Sequence, residues 1–188
     1  MKNSEVFEAL VPLLVDEIPK KIANLKLQKP IFRLRIYYYD THAPATHLLL
    51  VPSSDEFRKE LVKEHGGESR NQIWVGGNGT DLPTCELRDP QPIAESFAQV
   101  YGLLDDKESL YMVQFRAMLH RVAWRLNRLD WSQICPVTDD FFVLPQDGSS
   151  HFDNGWPDVV RSVPPERLEL LRSKGFGPPD WWQELPTE

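Results

Sequence analysis

A run of apolar residues at helical spacing from about Lys107 to Leu129, followed by an apolar strand pattern, limits this chain more than anything else in it. At about 100° per residue, Tyr111, Met112, Phe115, Leu119, Val122, Ala123, Leu126 and Leu129 fall within about a third of the circumference, which is the stripe of a helix with one side to bury. Lys107, Gln114, Arg121, Arg125 and Arg128 share a different face, and Arg116, His120 and Trp124 lie between the two. Thr138-Asp139-Asp140-Phe141-Phe142-Val143-Leu144 then opens on two acids and is apolar on both sides. That predicts a strand covered on both faces and central in its sheet.

The other elements follow from the same two periodicities. Ser4 can cap a helix running to about Ala23, with Val6, Phe7, Leu10, Leu14, Ile18 and Ile22 on the buried side. Pro12 and Pro19 inside it predict a kink or an early end. From Ile31 to Tyr39 the residues alternate, with Phe32, Leu34, Ile36 and Tyr38 on one face and Arg33, Arg35, Tyr37 and Tyr39 on the other. Thr46 to Val51 reads as a second strand in a hairpin with it. Ser53 and Glu56 have capping-box spacing for a helix that stops near Gly66-Gly67. Gln72 to Val75 is a short strand candidate, Gly76 to Gly79 a turn, Pro83 to Pro92 irregular, and Ile93 to Leu104 a helix. Asp147-Gly148 predicts the turn that closes the strand after the long helix. Ser162 to Lys174 predicts a last short helix opened by Pro164-Pro165, with Gly175 just past its end. Phe176, Trp181 and Trp182 then fold back as a clasp. The order α-β-β-α-(β)-α-α-β-α predicts an α+β fold, a small mostly antiparallel sheet packed against helices with the 107–129 helix as its core.

The 188 residues suit one domain, with a C-terminal acidic, Trp- and Pro-rich clasp from about 145. Charge is uneven along it. Residues 1–138 hold 17 basic and 18 acidic side chains, whereas residues 139–188 hold 4 and 10, so nearly all of the net −7 lies in the last quarter. An acidic surface of that kind repels phosphate backbones and favours basic partners. Cys85 and Cys135 are too few and too far apart for a disulfide framework or a zinc knuckle. The N-terminus lacks the pattern of a secretory signal and no apolar run approaches a membrane span, so the expected location is the cytoplasm.

Candidate chemistry was weighed residue by residue. Asp40, His42 and His47 are metal-ligand types, but Pro44 and the hairpin spacing do not bring them onto one face. Gly76-Gly77-Asn78-Gly79-Thr80 lacks the Lys-Ser/Thr of a phosphate loop. Cys85 with His120 or His151 as base has no local signature. Asp139, Asp140, Asp147, His151 and Asp153 form an acidic patch. With the Arg stripe to hold phosphate, Asp139, Asp140 and His151 define the alternative reading, a metal-dependent phosphate-handling enzyme. Arg116, Arg121, Arg125 and Arg128 are dense enough to suggest nucleic acid, but the overall acidity argues against it. No catalytic residue, metal ligand set or cofactor is assigned. Asp147, Asp153, Trp156, Asp158, Trp181 and Trp182 are the candidate partner-binding residues, aromatic side chains rimmed by acids.

The order of an N-terminal helix, an Arg35-Ile36-Tyr37-Tyr38-Tyr39-Asp40 strand, a second strand, a long helix, an Asp139-Asp140-Phe141-Phe142-Val143-Leu144 strand and a Pro164-Pro165-Glu166-Arg167 helix resembles small uncharacterised bacterial proteins. Among these are immunity-like families that accompany polymorphic toxins. Trp181-Trp182 is similar to the aromatic-rich motifs of the SUKH immunity superfamily, although those motifs lie elsewhere along the chain. The resemblance implies a non-enzymatic, cytoplasmic protein that binds another protein, a basic toxin being the partner that suits an acidic C-terminal surface.

Overall fold

The computed structural model describes residues 3–38, 48–65, 80–87, 108–148 and 156–176. The fold is α+β: a four-strand mixed, mostly antiparallel sheet packed against five helices. In chain order the elements are α1 (Asn3–Asn24), β1 (Ile31–Tyr38), β2 (Leu48–Ser54), α2 (Asp55–His65), β3 (Cys85–Leu87), α3 (Glu108–Leu126), β4 (Val137–Asp147), α4 (Trp156–Ser162) and α5 (Pro165–Ser173). The strand order is β3-β2-β1-β4, with β1–β2 and β2–β3 antiparallel and β1–β4 parallel. Among the described residues no helix is long and apolar enough to cross a membrane.

The long helix forms where its stripe predicts. Phe115, Leu119, Val122, Ala123 and Leu126 are buried, joined by Met118. Each of the larger ones contributes about 1.5–3 kcal/mol by leaving water, against about 0–1 kcal/mol for an exposed ion pair. The stripe therefore decides how α3 sits, and the arginines follow. Leu129 falls past the helix end and is exposed. α1 supplies Phe7, Leu10, Val11, Leu14, Ile18 and Ile22 to the same layer. It runs unbroken through Pro12 and Pro19, which point away from the core, so burial of the apolar side outweighs two missing backbone donors.

Several expectations change at the sheet. Phe32 does not share a face with Leu34: the register slips between Ile31 and Arg33, a β-bulge that puts one extra residue into β1. Leu34, Ile36 and Tyr38 meet α1 and α3, whereas Phe32 joins Phe142, Leu144, Val159, Val163, Leu168 and Leu171 under α4 and α5. Arg33 and Arg35 are both fully buried. The Arg35 Nη1 donates to Gln146 Oε1 at 3.2 Å, and burial pushes its guanidinium down to about 10. Burial, together with the charge of Arg35, lowers Arg33 further. Cys85–Leu87, expected to be irregular, pairs with Leu48–Leu50. The α2 cap is Ser54, whose Oγ accepts the Phe57 N–H at 3.0 Å. Ser53 is still in the strand, opposite Arg33, and Glu56 pairs with Lys29 at 2.8 Å. The last helix, expected over 162–174, runs as α5 over Pro165–Ser173 with Pro165 in its first turn, and α4, which ends at Ser162 just before it, was not expected. Gly175 takes the left-handed conformation (φ 82°) that ends α5. Phe176 packs against the second cluster. The expected strand at 72–75, turn at 76–79 and helix at 93–104 lie outside the described residues, as do Trp181 and Trp182.

β4 is covered on both faces as expected, but it ends the strand row instead of lying central. Its outer edge is closed by side chains. Asn127, one residue past α3, accepts the Val143 N–H and donates to the Val143 carbonyl, each at 2.8 Å. The same amide nitrogen donates to the Ser162 carbonyl at 2.8 Å, tying α4 to that edge. Arg167 donates to the Phe141 carbonyl, the neighbouring outward one. Asn127 thus does the work of a missing strand. On the far face, Arg58 of α2 lies between the Phe32 and Phe176 rings and pairs with Asp55 and with buried Asp140.

Two consequences are measurable by chemical denaturation. Asn127→Leu leaves the Val143 N–H and carbonyl buried without partners and should cost about 2–4 kcal/mol; a loss under 1 kcal/mol means the edge is sealed by something else. Arg58→Met takes the closest cation from the Asp140 carboxylate, leaving Lys174 at 3.7 Å and the more distant Arg167, and should cost about 3–5 kcal/mol. Adding Asp140→Asn should recover part of that loss.

Candidate functional site

The parallel pair β1–β4 ends at Tyr38 and Asp147, which are register partners. Ligands of open α/β sheets gather at the carboxyl ends of parallel strands, and here that end is roofed by α3 and α4. From α3, Arg116 hydrogen-bonds the Tyr38 phenol. Burial pushes that phenol well above its ordinary range, against the pull of Arg116. Asp158, in the first turn of α4, is buried among basic side chains: His120 Nε2 at 3.3 Å, Arg116 at 3.7 Å and Arg161 at 3.9 Å. His120 Nδ1 lies 2.8 Å from the Ser162 hydroxyl. With the Nε2–H tautomer that Asp158 favours, the hydroxyl donates to Nδ1. The Nε2–Asp158 contact is close in distance but off-line, so Nε2 makes no hydrogen bond.

Above this network is an open cavity of about 370 Å³ lined by His120, Arg121, Trp124, Arg125 and Arg161. The i, i+3, i+4 spacing of Arg121, Trp124 and Arg125 puts them on one side of α3, and α4 supplies Arg161. Arg121 has Glu8 of α1 at 3.1 Å, both groups well exposed. Arg128 stacks over the Trp124 ring at 4.7 Å.

Serine, histidine and aspartate side by side invite comparison with nucleophilic catalysis. Ser162, however, is wholly enclosed beneath the cavity, and its hydroxyl does not line it. The thiols are no better placed. Burial raises Cys85 and pushes Cys135 up to about 11, away from the thiolate form. Cys85 is on β3 and His120 faces α4 beyond β4, at opposite ends of the strand row, so they do not meet.

The sequence-derived residues divide sharply. Asp147 and Asp158 are buried and face the Tyr38–Arg116 network, not solvent. Trp156 opens α4; Asp153, Trp181 and Trp182 lie outside the described residues. Asp139 and Asp140 do not join the Arg stripe. Lys174 holds Asp139, its hydrogen bond keeping that carboxyl below the usual range, and Arg58 holds Asp140. Asp140 points to the Phe142 side of the sheet, whereas Arg121 pairs with α1 on the other side. His151 lies outside the described residues, as do Asp40, His42, His47 and Gly76–Gly79. No group of three or more His, Cys, Asp or Glu could hold a metal ion among the described residues. The reasoning from sequence did not find Asn127, Ser162 or Arg161. Their spacing carries no periodic signal, and only the meeting of α3, α4 and β4 joins them.

Comparison with protein-family models, with curated proteins and with solved structures finds no match to this chain.

The Cys135 thiol should react with iodoacetamide far more slowly than a free thiol at pH 8, and gain reactivity only as the pH nears 11. A raised pKa keeps the sulfur protonated over the whole neutral range. Mass-spectrometric labelling of native protein reads this directly; labelling of Cys135 at the free-thiol rate would contradict the burial.

Proposed function

We propose that the protein is a non-enzymatic binding protein, regulatory or immunity-like in kind, which acts on another protein by contact through the α3–α4 groove. The observation that carries this reading is the groove itself, in which a half-buried Trp124 lies among Arg121, Arg125 and Arg161. Tryptophan and arginine dominate the energetics of protein interfaces, because a rigid ring and a planar guanidinium fill and anchor a pocket at low entropic cost. Among the described residues, Ser162 lies beneath this surface and the Cys135 thiol is held protonated, which favours binding over catalysis. The groove also reverses the sign of the partner that the C-terminal charge suggests. Three of the described acids of that quarter have cations beside them, Asp140 at Arg58, Asp139 at Lys174 and Asp158 at Arg116 and Arg161.

A second reading keeps the acidic C-terminal surface and a basic partner. It is favoured by Asp153, Asp180, Glu184 and Glu188, which fall in stretches with no Lys or Arg beside Trp181 and Trp182.

Binding to the protein encoded beside this one, with protection of cells from it, tests both. Trp124→Ala is expected to weaken binding by about 2 kcal/mol or more, roughly 30-fold, with the circular dichroism spectrum unchanged. If Trp124→Ala and Arg125→Glu bind at full strength while Asp153→Lys and Glu184→Lys do not, the second surface is the interface. Absence of both binding and protection sinks both readings.

A further inference from the structure

We infer that the α3–α4 groove takes a carboxylate-rich segment of its partner, with the guanidiniums of Arg121, Arg125 and Arg161 as the recognising groups. This rests on the contact surface proposed above and names the chemistry it reads. Three guanidiniums line one cavity of about 370 Å³, and their own counter-ions are weak or lacking. Arg125 has no ion pair among the described residues. Arg161 is 64% exposed and only 3.9 Å from Asp158. Arg121 is 44% exposed, and its partner Glu8 is 58% exposed, so that pair is weakly held and can exchange for a ligand. His120 adds a fourth basic group. It is 7% exposed, lines the same cavity, and its Nε2 makes no hydrogen bond.

Carboxylate fits this lining better than phosphate or nucleic acid. Phosphate sites draw on backbone N–H groups at a helix N-terminus. Arg125 and Arg161 are instead in the last turns of α3 and α4, where the backbone presents carbonyls and the dipole is negative. The recognising groups are then side-chain forks alone, which take carboxylate or phosphate two bonds at a time, and it is the lack of backbone N–H groups beside them that favours the carboxylate. Trp124 has one face under Arg128. A single ring with one face taken does not make the platform of successive aromatic rings on which a run of bases stacks.

The probe is a fluorescein-labelled hexaglutamate peptide, titrated by anisotropy against the full chain in low salt, with labelled hexaglutamine as its neutral counterpart. Hexaglutamate should bind at least about tenfold tighter. Arg125→Glu with Arg161→Glu should abolish the difference, Arg125→Lys with Arg161→Lys should restore part of it, and Lys59→Glu with Lys63→Glu on α2 should leave it. Equal binding of the two peptides overturns the inference. So does a loss as large in the α2 variant, which would mean diffuse charge. Displacement by ATP or oligothymidine at lower concentration than by unlabelled hexaglutamate also overturns it, in favour of a phosphate site. If partner capture depends on Trp124 while the peptides bind equally, this inference fails and the contact surface stands.

Discussion

Closure of the outer edge of β4 is the constraint on which the rest of this structure depends. A strand with both faces buried cannot leave its edge open, because orphaned N–H and carbonyl groups there would lie away from water as well. Asn127 meets the demand at Val143 and Arg167 meets it at Phe141. Both solutions fix neighbours: Asn127 sets where α3 ends relative to β4, and its third bond, to the Ser162 carbonyl, draws α4 across the edge. The groove between α3 and α4 exists because α4 is held there.

The sheet separates two chemistries. On one side, α1 and α3 bury a nearly continuous apolar layer against Leu34, Ile36, Tyr38, Phe141 and Val143. On the other, the bulge at Phe32 turns an aromatic ring toward α4 and α5, beside fully buried Arg33 and Arg35 and the Arg58–Asp140 pair. Charge on that second side is structural. Arg58 is held by two rings and two carboxylates, and a buried pair of this kind penalises loss of either partner more than its presence stabilises the fold. At the β4 edge, on α3 and α4, exposed arginines stand over a polar network anchored at Tyr38 and Asp158.

Much of the fold was legible in the sequence, and much of the site was not. The stripe of α3, the buried side of α1 and the apolar run of β4 each repeat at the period of their own element, so burial could be read locally. Phe32 defeats that reading, since one bulged residue reverses the face of everything before it. Asp147 and Asp158 defeat it differently. As acids near the end of an acidic chain they read as surface, yet Tyr38, Arg116 and His120 surround them.

What the sequence by itself determined is membership: which residues are apolar enough to be core, which spans are helix or strand, and that helices must cover a small sheet. Only the tertiary structure decided partnership. Asn127 with Val143, Arg58 with Asp140 and His120 with Ser162 join residues 16, 82 and 42 positions apart. Periodicity along the chain reports the environment of one residue at a time, whereas a hydrogen bond or ion pair between distant residues exists only once topology has set both groups at one place. The groove, assembled from Arg121, Trp124 and Arg125 on one helix and Arg161 on another, is a partnership of that second kind.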